Sequence, residues 1–223
     1  MMKLLLLGAE GSAARAAALS DGSRWVLLNA PTDLERQLQR HPQLQAQPLA
    51  GVVLMDAQLD HVSGLLGLRD GPPVELYATP AVFETLTTEL PLLQVVDRCC
   101  GVRWHLLPVA GDSAVAPFRI EALPGLRFTA FAAGDEFAPG ATLALEVEDL
   151  RDGRRLLYWP GPWPLPPDHG ADCLLLGDGG AALAGESAGA GRRVLLHPAA
   201  PPPAPVPGEP VLEQAFDGME IEL

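Results

Sequence analysis

The sequence predicts an α/β protein in which sheets are covered by helices. Three observations predict it. Strand-like runs recur along the whole chain, several of them are continuous apolar blocks of four to six residues bounded by Gly, Pro or Asp, and helix-like segments fall between them, mostly in the first half. Unbroken apolar blocks suit strands covered on both faces, and strands interleaved with helices argue for helix-covered sheets rather than a bundle. At 223 residues the chain is long enough to bury a substantial core.

The expected strands are Lys3–Leu7, Trp25–Asn29, Gly51–Met55, Val74–Ala78, Val102–Leu107, Arg119–Leu123, Arg127–Ala130, Thr142–Glu148, Arg155–Trp159, Ala171–Leu176 and Arg193–His197. Along Thr142–Glu148, Leu143, Leu145 and Val147 alternate with Ala144, Glu146 and Glu148, as in a half-exposed strand. Glu146, Glu148 and Asp149 then read as a solvated acidic face, and Asp152–Gly153 as a hairpin turn. The expected helices are Thr32–Arg40, with Pro31 and Thr32 supplying N-terminal cap chemistry, His61–Leu68, and Pro80–Leu90, with Pro at the first helical position. Pro160–Gly170 and Pro198–Pro210 are too rich in proline for regular helix. The second should be an extended surface segment, and Gly177–Gly191 a Gly/Ala-rich loop. Residues 1–223 are expected to form one domain.

Composition narrows function by exclusion. A formal charge of −13 disfavours nucleic acid and anionic membrane as main partners, because both would be repelled. No run approaches the roughly 18–20 apolar residues needed to cross a bilayer. Leu4–Leu7 is too short for a signal sequence core and reads as a buried first strand. Three cysteines, Cys99, Cys100 and Cys173, make no disulfide framework, which fits the cytoplasm. Cys99, Cys100 and His105 match no common zinc spacing, and the cysteines read as ordinary buried thiols.

The segment richest in chemistry is Val52–Gly64, where a buried strand runs into a polar turn and then into a helix that starts with Asp60 and His61. Strand ends of this kind face the crevice where α/β proteins bind ligands, and carboxylate with imidazole suits zinc, iron or manganese. Asp60 is equally a good helix cap. His197 ends a buried run and is followed by Pro198, which would hold it at a strand tip; its alternative is an ordinary strand-end His. Asp178 follows Leu174–Leu176 in the same way, or is a turn residue before two glycines. His41 and His105 have no partner nearby in sequence, and His169 reads as a turn residue. Phosphate-binding glycine loops and CxxC pairs are missing from the sequence, and no serine stands in a recognisable triad context.

Several stretches together resemble the pyrroloquinoline quinone biosynthesis protein B family of the metallo-β-lactamase superfamily. They are Trp25–Leu34, Val53–His61 with Ser63–Gly71, Leu145–Asp149, Leu157–Gly161, His169–Leu176, Val194–His197 and Ala215–Leu223, in the same order as in the family. The turn Asp56-Ala-Gln58-Leu-Asp60-His61 resembles the superfamily HxHxDH pattern with its first two histidines replaced by Asp56 and Gln58. The resemblance implies an αββα four-layer sandwich and a part in making pyrroloquinoline quinone or a related peptide-derived cofactor. It implies a metal site, Fe or Zn, at Asp60, His61 and His197, with Asp56 and Asp178 as weaker candidates, and catalytic roles for Asp60 and His61. The implied substrate is a small-molecule or peptide-derived quinone precursor, and the implied protein partner a second copy or a relative. Two activities fit: a partner, scaffold or carrier with a degenerate site, or a metal-dependent oxidoreductase or hydroxylase acting on a tyrosine-derived precursor. The chain departs from the family where a cysteine-rich zinc loop should follow the first strand, in the shortened stretch before His197, and at Phe137, where the superfamily places a histidine ahead of a Pro-Gly turn.

Overall fold

The structure, a computed structural model, describes residues 1–8, 15–134, 138, 140–166, 169–177, 183, 191–196 and 211–223. Its strands are β1 (Lys3–Gly8), β2 (Arg15–Ser20), β3 (Trp25–Leu28), β4 (Gly51–Val53), β5 (Val74–Ala78), β6 (Val102–Leu106), β7 (Val115–Phe118), β8 (Leu126–Ala133), β9 (Thr142–Asp149), β10 (Arg155–Trp159), β11 (Cys173–Leu176), β12 (Arg192–Leu195), β13 (Leu212–Gln214) and β14 (Glu220–Glu222). Its α-helices are α1 (Leu34–Arg40), α2 (Leu59–Val62), α3 (Pro80–Thr87) and α4 (Leu92–Cys99). The strands form two seven-stranded sheets, β14-β1-β2-β3-β4-β5-β6 and β13-β12-β11-β10-β9-β8-β7.

The expected fold class is observed. Strand alternation gives each sheet an inner and an outer face. The inner faces meet in one core that includes Leu4, Leu28, Val53, Phe128, Leu145, Leu156, Leu175 and Val194. On the outer face of the first sheet, Leu5, Leu27, Val52 and Leu76 pack against Leu34, Val62, Val82 and Val96 from the four helices. The outer face of the second sheet carries Leu157, Trp159, Leu174 and Leu176, packed against Trp163, Leu165 and Leu183. Among the described residues that fourth layer is loop, tied down where Trp159 Nε1 donates to the Trp163 carbonyl at 2.8 Å. The last segment clasps both sheets, since β13 pairs with β12 and β14 with β1.

Several expectations need correction. Arg119–Leu123 is not a strand: Leu123 N donates to Ile120 O, closing a turn, and the strand is β7 just before it. Thr32 does not cap α1; Asp33 occupies the cap position without a side-chain cap bond, while Thr32 Oγ1 bonds Ser63 Oγ at 2.8 Å. The helix expected at His61–Leu68 is α2 followed by a 3₁₀ segment, Ser63–Leu68, and the third helix stops at Thr87. The acidic face is not uniformly solvated. Asp149 has no solvent exposure and accepts from Nε and Nη2 of Arg151, and Glu146 is half-buried, which pushes its carboxyl above the usual range. His41 and His105, without partners nearby in sequence, find them across the fold in Asp217 at 3.1 Å and Glu75 at 2.7 Å. The turn at Asp152–Gly153 is present, with Gly153 at φ 75°.

Candidate metal centre at the strand ends

β3, β4 and β5 run parallel, as do β10, β11, β12 and β13. The carboxyl end of β4 and those of β10 and β11 come to the same rim, joined where Leu143 N donates to the Met55 carbonyl at 2.7 Å. β4 is stopped there by Asn29. This buried residue takes a left-handed φ of 66° and accepts a 2.9 Å bond from Met55 N on its side-chain oxygen. A backbone conformation unusual for a side-chain-bearing residue is tolerated at Asn, whose short amide bonds locally.

Past Met55 the chain turns at Asp56, only 4% exposed. Its carboxylate accepts from Gln58 N at 2.9 Å and from His61 Nδ1, which stands 2.8 and 2.9 Å from its two oxygens. A carboxylate only accepts, so Nδ1 carries the proton and the lone pair is on Nε2. The ring is therefore fixed in one tautomer and one orientation. Its backbone is fixed too: the His61 carbonyl accepts from Ala30 N at 2.7 Å, and Gly64 N donates to the Ala30 carbonyl at 2.9 Å. That approach requires glycine, because a Cβ at Gly64 would lie 2.0 Å from the Pro31 carbonyl oxygen.

Asp56, Gln58, Asp60 and His61 line one side of a cavity of about 200 Å³; Thr142, Tyr158, Trp163 and Gly177 line the rest with Pro160, Gly161 and Pro162. Asp60 is exposed at the rim and His61 partly exposed. Three of the five candidate site residues, Asp56, Asp60 and His61, are thus brought together. His197 and Asp178 lie outside the described residues, as do Phe137 and the proline-rich segment 198–210. Among the described residues no group of three His, Cys, Asp or Glu side chains forms a metal cluster. Cys99 and Cys100 are free thiols but not the buried ones expected, Cys99 being exposed and Cys100 partly covered at the end of α4, and His105 is held by Glu75 and stacked on Tyr77, with ring centroids 4.4 Å apart. His169 lies in the loop before β11, where its Nδ1 accepts from Ala171 N at 3.1 Å. Sequence reasoning missed Thr142 and Tyr158, which enter the site only through sheet pairing, and Trp163, which the loop after β10 brings in; Pro160–Gly161 before Trp163 was the one local sign of a close turn there.

Two packed seven-stranded sheets, the first covered by helices, and a polar turn at the strand ends define a metallo-β-lactamase-type protein. The sequence model of the β-lactamase superfamily domain matches residues 24–197. The chain is 37% identical over 179 residues to coenzyme PQQ synthesis protein B of Methylobacillus flagellatus, covering 70% of this chain and 58% of that protein. It is 34% identical over 266 aligned residues to the protein of that name from Pseudomonas putida, covering 92% and 86%. The crystal structure of Zn²⁺-bound PqqB from Methylobacterium extorquens superposes with a TM-score of 0.70 at 26% identity, covering 99% of this chain and 100% of that one. The chain belongs to the coenzyme PQQ synthesis protein B family. No helix among the described residues is long and apolar enough to cross a membrane.

Proposed function

We propose that this chain serves the biosynthesis of pyrroloquinoline quinone, or of a related peptide-derived cofactor, as one cytoplasmic domain spanning residues 1–223. In this reading it holds a divalent metal, Fe or Zn, at His61, Asp60 and His197, with Asp178 a weaker contributor. The observation that carries the proposal is the Asp56–His61 pair. A metal-ligating histidine characteristically donates its other ring N–H to a carboxylate, which fixes the tautomer and raises the basicity of the ligating nitrogen. The donor set fits: a neutral imidazole and a carboxylate from one turn suit iron or zinc equally. Asp56 is assigned to positioning rather than ligation, because both its oxygens are engaged by His61 and by the Gln58 amide.

A bound metal would supply Lewis acidity, or redox chemistry if it is iron. The chain's own residues do the rest. Asp60 and His61 face the cavity as the proposed catalytic groups, Asp56 keeps the proton on Nδ1, and Trp163 and Tyr158 wall off solvent on the far side. A small-molecule or peptide-derived quinone precursor is the proposed substrate, presenting one ring or side chain to the cavity.

Scaffold or carrier activity is the second reading. A cavity of about 200 Å³ is below the roughly 300 Å³ at which ligand pockets begin, and Asp56 and Gln58 stand where two histidines of the superfamily turn would be. Metal analysis of protein purified without chelator, for the wild type and His61→Ala, separates the two. Stoichiometric iron or zinc that is lost in the variant, together with restoration of quinone cofactor synthesis in a bacterium lacking its own B protein, supports the metal enzyme. A folded, metal-free wild type that still restores synthesis establishes the scaffold, and failure to restore synthesis removes the pathway assignment.

A further inference from the structure

The two sheets have four edge strands, and three are guarded. β14 carries Glu220 and Glu222, the latter 3.3 Å from Lys3; β7 contains Pro117; β13 is three residues long, with Glu213 tied to Arg192. Charge, proline and shortness are the usual devices that stop an edge from pairing with another chain. β6 carries charge only on its inner face, where Arg103 is paired with Glu75, and has none of these devices on its outer-facing side chains, which are Val102, Trp104 and Leu106. Trp104 is 38% and Leu106 50% exposed, although Trp104 is held rigid by stacking on Phe83, with centroids 3.9 Å apart.

The backbone of β6 is set up for pairing. Val74 N donates to the Gly101 carbonyl and Leu107 N to the Ala78 carbonyl, so residues 101, 103, 105 and 107 turn their polar main-chain groups toward β5. Alternation sends those of Val102, Trp104 and Leu106 outward. Val102 N is taken by Asp97 at 3.0 Å; among the described residues no backbone group bonds the outward amides of Trp104 and Leu106.

We propose that β6 is a self-association edge, pairing antiparallel with β6 of a second copy about a two-fold axis at Trp104 and joining the two seven-stranded sheets into one. The strand is self-complementary in that register. Trp104 meets its own copy and exchanges both main-chain bonds, Val102 meets Leu106 with the Leu106 amide donating to the Val102 carbonyl, and Arg103 meets His105. That gives four bonds between copies while the Asp97–Val102 bond stays intact. Charge favours a second copy here despite the −13 of the chain. Glu75 accepts from Arg103 at 2.8 Å and from His105 at 2.7 Å, so the inner face of the edge is locally neutral and each copy meets compensated charge. Apolar residues cluster with apolar residues on the opposite face.

The test is the solution mass of the full chain by light scattering or sedimentation, for the wild type and for Leu106→Pro. The Leu106 amide points away from β5, so proline there removes only a bond between copies and is tolerated at an edge. The expected result is a wild-type particle of twice the 23.5 kDa chain mass that reverts to a single chain in the variant, with circular dichroism unchanged. Trp104→Lys is the second variant: it retains every amide but sets two like charges opposite each other on the axis, and it too should give single chains. A wild type that is monomeric at every concentration up to its solubility limit overturns the proposal, as does a dimer that survives both substitutions.

Discussion

Both carboxylate oxygens of Asp56 lie within 2.9 Å of a single ring nitrogen of His61. Asn at position 56 would offer one oxygen and an amide that cannot accept, so the ring would lose both its charge-assisted bond and its fixed tautomer. Asp56→Asn should therefore weaken metal binding by roughly 10–100-fold while leaving the fold intact. Competition with a chromophoric chelator measures this directly, alongside His61→Ala, which should abolish binding. Unchanged affinity in Asp56→Asn would show that Asp56 does not position the ligand.

Gly64 gives a second handle on the same turn. A methyl group there would collide with the carbonyls of Pro31 and Ala30 and with the Leu34 side chain, at 2.0, 2.8 and 2.8 Å. Two of these contacts are backbone and cannot swing aside. Gly64→Ala should push the His61 turn off the Asn29–Pro31 loop, costing about 1–3 kcal/mol by overpacking, and should weaken metal binding as well. Urea unfolding and chelator competition on the same preparation check both effects. A stability loss with full metal affinity would mean that the turn can shift without moving His61.

How much of this was legible in the sequence depends on what each element packs against. Unbroken apolar blocks such as Leu4–Leu7 and Leu174–Leu176 announced strands because both their faces are covered, one by the sandwich core and one by an outer layer. β2 was missed: its Ala16–Ala17–Ala18 run has strong helix propensity, and only pairing between β1 and β3 overrides it. β13 and β14 were missed because three residues carry no period, and their existence is due to partners some 20 and 215 residues away in the sequence. Helix α4 was missed although Leu92, Leu93 and Val96 mark its buried stripe. At the site, Asp60 and His61 stood out by type and position, and Asp56 was read as a weak ligand. Its orienting role required knowing that a three-strand rim folds the Asp56–His61 turn back on itself, and that Thr142 and Tyr158 would close the cavity from another sheet.

The three thiols should react in a fixed order. Cys99 is exposed, Cys100 partly covered and Cys173 buried in the sandwich core, where burial pushes its thiol up to about 12. Burial also raises Cys100. Because the thiolate is the reactive form, alkylation of the native protein near pH 8 should label Cys99 first and leave Cys173 untouched until the chain is unfolded. Peptide mass mapping after timed quenching reads the order. Labelling of Cys173 at the rate of Cys99 would mean that the core opens far more often than its packing implies.

Acid should destabilise the protein chiefly through Asp149. The Arg151 guanidinium, the Arg151 amide and the Met1 amino group all bond this buried carboxylate and hold it well below the usual carboxylate range, against the opposing effect of burial. Glu75 is lowered likewise, first by its bond from His105 and then by Arg103. A carboxyl whose folded pKa is depressed contributes stability that is fully present above its unfolded value, about 3.9 for Asp, and is lost as pH falls through the folded value. His169 adds an earlier loss. Burial, then Arg155 and Arg193, lower it, so below about 6.5 the unfolded chain takes up a proton that the folded one refuses. Glu146 works the other way, since burial raises it and its cost at neutral pH is relieved on mild acidification. Urea unfolding between pH 7 and pH 3 should show a shallow decline followed by a steep one below about pH 4. In Asp149→Asn the steep limb should flatten, and stability at pH 7 should fall by about 1–2 kcal/mol, the lower part of the range for charge-assisted bonds because Arg151 is half-exposed. An acid limb as steep in the variant as in the wild type would move the acid sensitivity away from this pair.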